Sequence, residues 1–341
     1  MTYRLVEVAR FDHQVTGVTV TPRGRIFVNF PRWTEDSPVS VAELLADGTQ
    51  RPYPDDRWNA WRNSRKDELR AADHWVCVQS VVCDHAGGLW VLDPAAPAQD
   101  RQVPGGAKLV KIDPQTDQVV EKITFDESVA PQGSYLNDVR FSPDGGHAFI
   151  TDSGARGAIV VVELASGNAR RLFDGHPSTQ VEKDVQIHAD GEVLRRTDGR
   201  GVEFSADGIA MSNDGAWLYW QAIKGRTLYR APTALLVDAS LPSSSLTGSI
   251  ERVGENGPAD GLLIGVDGRM YISAVQDKAV KVREGADVRV LVQDERLRWP
   301  DTFAQGPDGT IYVTTSNIPD MQWFKQGNPL AVPTTLFKLE G

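Results

Sequence analysis

One pattern recurs six times along this chain and narrows its possible folds more than any bulk property does. It consists of a short apolar strand, a turn that usually contains Asp-Gly, and a second strand with an aromatic near its centre. The copies begin with VTVTPRGRIFVNF at Val18–Phe30, VVCDHAGGLWVLD at Val81–Asp93 and VRFSPDGGHAFITD at Val139–Asp152. They continue with IAMSNDGAWLYWQ at Ile209–Gln221, LLIGVDGRMYISA at Leu262–Ala274 and FAQGPDGTIYVTT at Phe303–Thr315. Each copy has the alternation and turn chemistry of a β-hairpin, with glycine free to take the positive φ of a tight turn.

Two further strand-like runs follow most copies, and four strands per repeat make the blade of a β-propeller. The sixth copy is followed by only one such run, TLFKLEG, ending at Gly341. YRLVEVARF at Tyr3–Phe11 can supply the missing strand, a closure that removes the exposed sheet edges of an open ring. The chain is therefore read as all-β: a single six-bladed β-propeller domain over residues 1–341, closed by the N-terminal strand. Two connections exceed what a bare blade needs. Residues 51–75 hold Trp58, Trp61 and NSRKDELRAADH and are read as a short helix over one face. Residues 173–204 are read as a lid or a surface excursion.

The net charge is −10, with no Lys/Arg-rich run. An acidic surface repels phosphate backbones, so nucleic acid is excluded as a partner. No stretch reaches the ~18 apolar residues that span a bilayer, and MTYRLVEVARFD lacks the apolar core of a secretion signal. Cys77 and Cys83 flank one predicted strand, roughly 20 Å apart when extended, too far for a disulfide. Free thiols point to a reducing, cytoplasmic location. A monomer or weak oligomer with a small-molecule ligand is expected.

In a propeller the residues just before each first strand ring one mouth of the channel. They are Thr16-Gly17, Gln79-Ser80, Asn137-Asp138, Asp207-Gly208, Asp260-Gly261 and Asp301-Thr302. Asp-Gly and Asn-Asp pairs are also ordinary turn formers. Their shared register in successive blades favours a common site. Crowded carboxylates prefer a nearby cation or a raised pKa, and either a calcium-class ion or a cationic amine answers that need. No spacing for zinc, no nucleophile elbow and no phosphate loop appears.

The blocks IFVNFPRW at Ile26–Trp33, PYPDDRWNAW at Pro52–Trp61, AFITDSGARGAIVVVEL at Ala148–Leu164 and RWPDTFAQGPDGTIYVTTSNIP at Arg298–Pro319 resemble the yellow/major royal jelly protein family. That resemblance implies a six-bladed propeller that binds aromatic amines at the channel mouth; some insect members convert dopachrome. A threonine and an asparagine of the sixth blade line the amine pocket in that family, and Thr302 and Asn317 match them by spacing. The chain also resembles, more distantly, the regucalcin/gluconolactonase family of calcium-dependent lactonases. YLNDVRFSPDG places Asn137 on a metal-ligand position of that family, ADGIAMSNDG places Asp207, and ADGLLIGVDG places Asp260 as ligand and base. The first-blade glutamate of that family is replaced by Thr16.

Two functional expectations follow. The first is a metal-assisted hydrolase of a lactone or ester, with a divalent ion, calcium, on Asn137, Asp207 and Asp260. Asp260 would be the general base, and Gln79, Asp301, Thr302 and Asn317 would face the ligand. The second is an aromatic-amine-binding protein or isomerase, with Asp207, Asp260 and Asp301 pairing the ammonium while Trp33 or Trp299 stacks on the ring.

Overall fold

In the computed structural model, which describes residues 3–33, 36–97, 101–327 and 331–341, the six hairpins become six four-stranded antiparallel sheets. The first blade comprises Val18–Val20, Ile26–Asn29, Val41–Leu44 and Gln50–Pro52. The second comprises Ser80–Cys83, Leu89–Asp93, Lys108–Asp113 and Gln118–Thr124. The third comprises Leu136–Phe141, His147–Asp152, Ala158–Glu163 and Ala169–Leu172. The fourth comprises Ala206–Met211, Trp217–Ala222, Thr227–Pro232 and Glu251–Glu255. The fifth comprises Leu262–Ile264, Met270–Ala274, Ala279–Glu284 and Asp287–Gln293.

The sixth blade joins Pro300–Gln305, Ile311–Thr315 and Thr334–Glu340 to the N-terminal strand Arg4–Phe11. The closing pair runs antiparallel, with Arg4 opposite Glu340 and Phe11 opposite Thr334. Each inner strand touches the inner strands of both neighbouring blades, so the ring is complete.

Local chemistry explains the hairpins. The turn glycines Gly24, Gly87, Gly145, Gly215, Gly268 and Gly309 all have φ between 71° and 88°, a region closed to most side chains. In five turns an aspartate carboxylate accepts the backbone N–H two residues on, as Asp144 does from Gly146 at 2.9 Å and Asp308 from Thr310 at 3.0 Å. These are Asx turns, and they fix the hairpin register.

Alternation along the strands then sorts side chains between neighbouring blades. Ala148 and Ile150 pack with Trp90 and Leu92 of the second blade, whereas Phe149 between them packs with Ile209 and Trp220 of the fourth. Every junction between blades has its own buried apolar cluster of this kind. Trp90, read as packing from its place in the repeat, stacks on Phe141 of the next blade with ring centroids 5.1 Å apart.

Two connections differ from the sequence reading. Residues 51–75 form three 3₁₀ turns, Trp58–Ala60, Asn63–Arg65 and Ala71–Asp73, in place of one helix. They follow the blade surface because Trp58 lies against Trp75 at 4.3 Å and Asn59 is tied to Tyr53 and Ser40. In the fourth blade, short helices Thr233–Val237 and Ser243–Leu246 separate the third strand from the fourth.

The last aspartate of the second blade's hairpin, Asp93, is fully buried and accepts from Val76 N, Cys77 N and Ala95 N at 2.7–3.0 Å. Lys108, also fully buried, completes the group at 2.8 Å. Asp152 does the same work in the third blade, accepting from Tyr135 N and Gly154 N at 2.8 Å and pairing with Arg171. These carboxylates hold the segments that lead into the channel-lining strands. Lys108→Met should cost about 3–5 kcal/mol, because Asp93 would remain buried without its counter-charge. Denaturant unfolding measures this, and a loss below about 1 kcal/mol would show the pair to be dispensable.

Candidate functional site: a buried carboxyl cluster at the channel mouth

The residues preceding the inner strands sit in irregular backbone. Register breaks occur between Leu136 and Val139, Ala206 and Gly208, and Pro300 and Phe303. Such bulges re-aim side chains, and here they fall on Asn137-Asp138, Asp207 and Asp301-Thr302. The glycines that follow Asp207 and Asp260 are required by close approach: a Cβ at Gly208 would lie 2.3 Å from Asp260 O, and one at Gly261 would lie 2.2 Å from Asp301 O. Hydrogen bonds between blades tighten the ring. Thr151 Oγ1 donates to Asp207 O at 2.6 Å, Asn29 Nδ2 to Val78 O at 3.1 Å, and Thr314 Oγ1 to Thr16 O.

Four aspartates, Asp138, Asp207, Asp260 and Asp301, are buried in this ring, none more than 8% exposed. The carboxyls of Asp207 and Asp260 are close enough to hydrogen-bond to each other, a bond that forms when one of the two carries a proton. Burial, then the charges of Asp260 and Asp301, pushes Asp207 well above the usual carboxylate range. Asp301 is pushed up by burial and by the charge of Asp260. Asp260 rises only to about 6, because the indole of Trp299 and the hydroxyl of Asp207 offset part of its desolvation. Both carboxyls of the pair are thus displaced upward, so the pair favours holding a proton between them.

Asp260 Oδ2 accepts from Trp299 Nε1 at 2.7 Å. Trp299 is itself held at φ +56° although fully buried, a backbone conformation that costs a bulky residue about 1–3 kcal/mol. Thr302 Oγ1 donates to Asp301 Oδ1 at 3.1 Å. Gln79 Oε1 accepts from Tyr135 OH at 2.8 Å, and that hydroxyl accepts from Trp33 Nε1 at 2.6 Å. Trp33, Val76, Tyr135, Ile223, Val275 and Trp299, from loops of all six blades, belong to one buried apolar cluster that covers this mouth. Residues 173–204 join it through Ile187, Leu194, Val202 and Phe204. That segment includes the two-stranded hairpin His188–Ala189 and Glu192–Val193, and Asp190 at its tip pairs with Arg298 at 2.8 Å.

Below the ring, Arg140 pairs with Asp138 at 2.8 Å and donates to Leu262 O of the fifth blade at 2.9 Å, spanning the channel. It borders a cavity of about 230 Å³ at the opposite end, together with Thr302, Cys83 and Gln305. The carboxyl cluster thus lies between a guanidinium floor and an aromatic roof.

The ring register brings Asn137, Asp207, Asp260, Asp301, Thr302 and Gln79 to one end of the channel. Asn317 is half-buried with φ +50°, and its amide donates to Ala331 O and Pro333 O at 2.9 Å, tying down the C-terminal loop.

The oxygen chemistry of the ring suits a hard cation, but its oxygens are already committed. Asp207 and Asp260 face each other, Asp260 takes the indole N–H, and Asp138 takes Ser80 at 2.6 Å as well as Arg140. Among the described residues no group of three or more His, Cys, Asp or Glu is arranged to hold a metal ion. Of the expected calcium set of Asn137, Asp207 and Asp260, the two aspartates face each other and Asp260 also holds the Trp299 indole.

Arg140, Tyr135 and the Asp138 pairing were not singled out from sequence. One signal was present: the register mates of Arg140 in the other hairpins are Thr19, Val82, Ala210, Leu263 and Ala304, so a charge interrupts an otherwise uncharged column.

A closed six-bladed propeller with a buried carboxyl cluster under an aromatic roof defines the class of this protein. Residues 76–322 match the major royal jelly protein family, and the chain belongs to that family. No curated relative matches the sequence. Among solved structures, a gluconolactonase from Xanthomonas campestris is similar over 99% of this chain and 89% of its own, with a TM-score of 0.57 at 12% identity. A calcium-binding protein, regucalcin, from Agrobacterium tumefaciens is similar over 98% and 93%, with a TM-score of 0.57 at 18% identity. Virginiamycin B lyase from Staphylococcus aureus is similar over 99% of both chains, with a TM-score of 0.54 at 14% identity. At these identities the likeness shows a shared fold. Among the described residues no helix is long and apolar enough to cross a membrane.

Proposed function

We propose that the chain binds a small aromatic compound bearing an amine or quinone-type group at the carboxyl cluster and moves a proton on it without net redox change. The observation that carries this reading is the juxtaposition of the buried Asp207 and Asp260 carboxyls, both shifted upward, with Asp260 anchored by Trp299; we read one as protonated and the other as ionised. Asp260 takes a proton from one atom of the substrate, and Asp207 returns its own proton to another. The hydrogen bond between them then carries the proton back to Asp207, so charge and oxidation state balance. The aromatic roof supplies faces for a flat ligand, and the cluster supplies negative charge for a cationic one.

Calorimetry with indoleamines and catecholamines tests this. Asp260, with a folded pKa of about 6, is ionised at pH 8 and protonated at pH 5. Amine affinity should therefore be full at pH 8 and fall as the pH drops through 6, by roughly tenfold per unit below it. Absence of heat at millimolar ligand at pH 8 overturns the reading.

A calcium-assisted lactone or ester hydrolase is the second reading, favoured by the shared register of Asn137 and Asp260. Added calcium separates the two. A melting temperature raised by several degrees supports the hydrolase, whereas an unchanged one leaves proton transfer.

A further inference from the structure

The cavity of about 230 Å³ at the far end of the channel is walled by inner strands of all six blades. Val82, Met211, Leu263 and Ile264 line it and stay only half-buried, although each belongs to a strand at the centre of the ring. Apolar side chains left uncovered in a concavity, with a few placed polar groups, are the usual lining of a small-molecule site. The rim is polar, with His85 and Asn213 exposed at the opening.

The charged group at the inner end is Arg140. Its Nη1 pairs with Asp138 at 2.8 Å and donates to Val139 O at 2.7 Å, and its Nη2 donates to Leu262 O at 2.9 Å. Among the described residues its Nε–H has no hydrogen-bond partner. The guanidinium is thus pinned across the channel before any ligand arrives, and a ligand that accepts from it costs little further ordering.

The surrounding charges then select the ligand. Arg140 is already balanced by Asp138, and Asp207, Asp260 and Asp301 lie beyond it in the ring. A carboxylate in the cavity would face those aspartates without a counter-charge of its own. An ammonium would face the guanidinium. Either ion loses hydration that nothing in the cavity replaces. A neutral oxygen acceptor meets neither repulsion and finds an uncommitted, charged donor.

We propose that this cavity is a second binding site, for a small neutral molecule with an apolar body and one carbonyl-type acceptor held by Arg140. It lies on the other side of the Arg140–Asp138 pair from the carboxyl cluster and is independent of the reaction proposed there.

Three probes that share one ring and differ in charge test the site by calorimetry on the full chain: cyclohexanone, cyclohexylamine and cyclohexanecarboxylate. Cyclohexanone should bind at least roughly tenfold tighter than either ion, since it alone makes a hydrogen bond to a charged group without burying a charge. Cys83 reports the location. It lines the cavity and is half-buried, whereas Cys77 is fully buried. Burial pushes the Cys83 thiol up to about 12, so its alkylation by iodoacetamide at pH 9 is slow enough to time. Saturating cyclohexanone should slow that reaction severalfold. Arg140→Met should weaken cyclohexanone at least roughly tenfold. Because that variant strands Asp138, Leu263→Trp serves beside it. It fills the cavity, keeps the ion pair, and should abolish cyclohexanone binding. Melting curves check that each variant is folded. An ion that binds as tightly as cyclohexanone overturns the ligand class. Absence of heat at millimolar cyclohexanone, binding that leaves Cys83 alkylation unchanged, or binding that survives Leu263→Trp overturns the site. None of these outcomes bears on amine binding at the carboxyl cluster, which is measured separately with the indoleamines and catecholamines.

Discussion

Removing residues 2–11 should abolish cooperative folding. The strand Arg4–Phe11 is the fourth strand of the last blade, and its partners run from Glu340 back to Thr334. It also seals both neighbouring junctions, with Leu5 in the cluster between the fifth and sixth blades and Phe11 in the one between the sixth and first. Two large side chains at about 1.5–3 kcal/mol each, with several ladder hydrogen bonds at about 0.5–1.5 kcal/mol each, approach the whole stability of an ordinary protein. Truncation further leaves Thr334–Glu340 as an unpaired edge, a template for association. The expected result is an aggregating protein with no sharp thermal transition. A truncated chain that stays monomeric and melts as sharply, at the same temperature, would refute closure by this strand.

The fold was legible because its determinants are local and repeated. A Gly at positive φ after an aspartate that caps its own turn is a signal within six residues, and five such signals, with Gly24 closing a sixth turn, leave few architectures open. The connection at residues 51–75 was less legible. NSRKDELRAADH has helical composition, but Trp58, Asn59 and Trp61 are drawn onto the blade surface and the backbone follows them as 3₁₀ turns.

The ring was legible in part for the same reason as the fold. Asp207, Asp260 and Asp301 occupy one column of the repeat, and radial symmetry turns a column into a ring. What the column does not encode is the reach of side chains between blades. Arg140 of the third blade bonds to the fifth, Tyr135 links Trp33 of the first to Gln79 of the second, and Trp299 of the sixth claims Asp260 of the fifth. These contacts decide which oxygens remain free. They give several oxygens of the ring a partner within the protein, and none of them has a sequence spacing from which it could be read.

Asp260→Asn should separate activity from stability in opposite directions. The asparagine keeps an oxygen for the Trp299 indole and gains an N–H for Asp207, so the local geometry is retained while the base is lost. Turnover or amine affinity at pH 8 should fall by about 10²–10⁴ if Asp260 is the proton acceptor. Stability should rise. The folded pKa of about 6 lies above the unfolded value of about 3.9, so between these values the native state holds a proton that the unfolded chain has released. The contribution of this carboxyl is then complete below about pH 4 and is lost as the pH climbs through 6. About two pH units correspond to roughly 3 kcal/mol as an upper bound. Asp207 and Asp301 are shifted the same way by burial and mutual charge, so the variant should show a shallower decline of melting temperature above pH 4, not a flat line. Surface carboxylates held down by arginines, such as Asp190 beside Arg298, lose their contribution only below this window. Asp267→Ala is the control. Asp267 accepts from Arg269 N at 3.0 Å and Tyr271 OH at 2.9 Å in the hairpin turn of the same blade, so its loss should lower stability and spare activity. An Asp260→Asn protein that is less stable than the parent at pH 8 would mean that the cluster is held by its charge, and the proton-sharing assignment would fall with it.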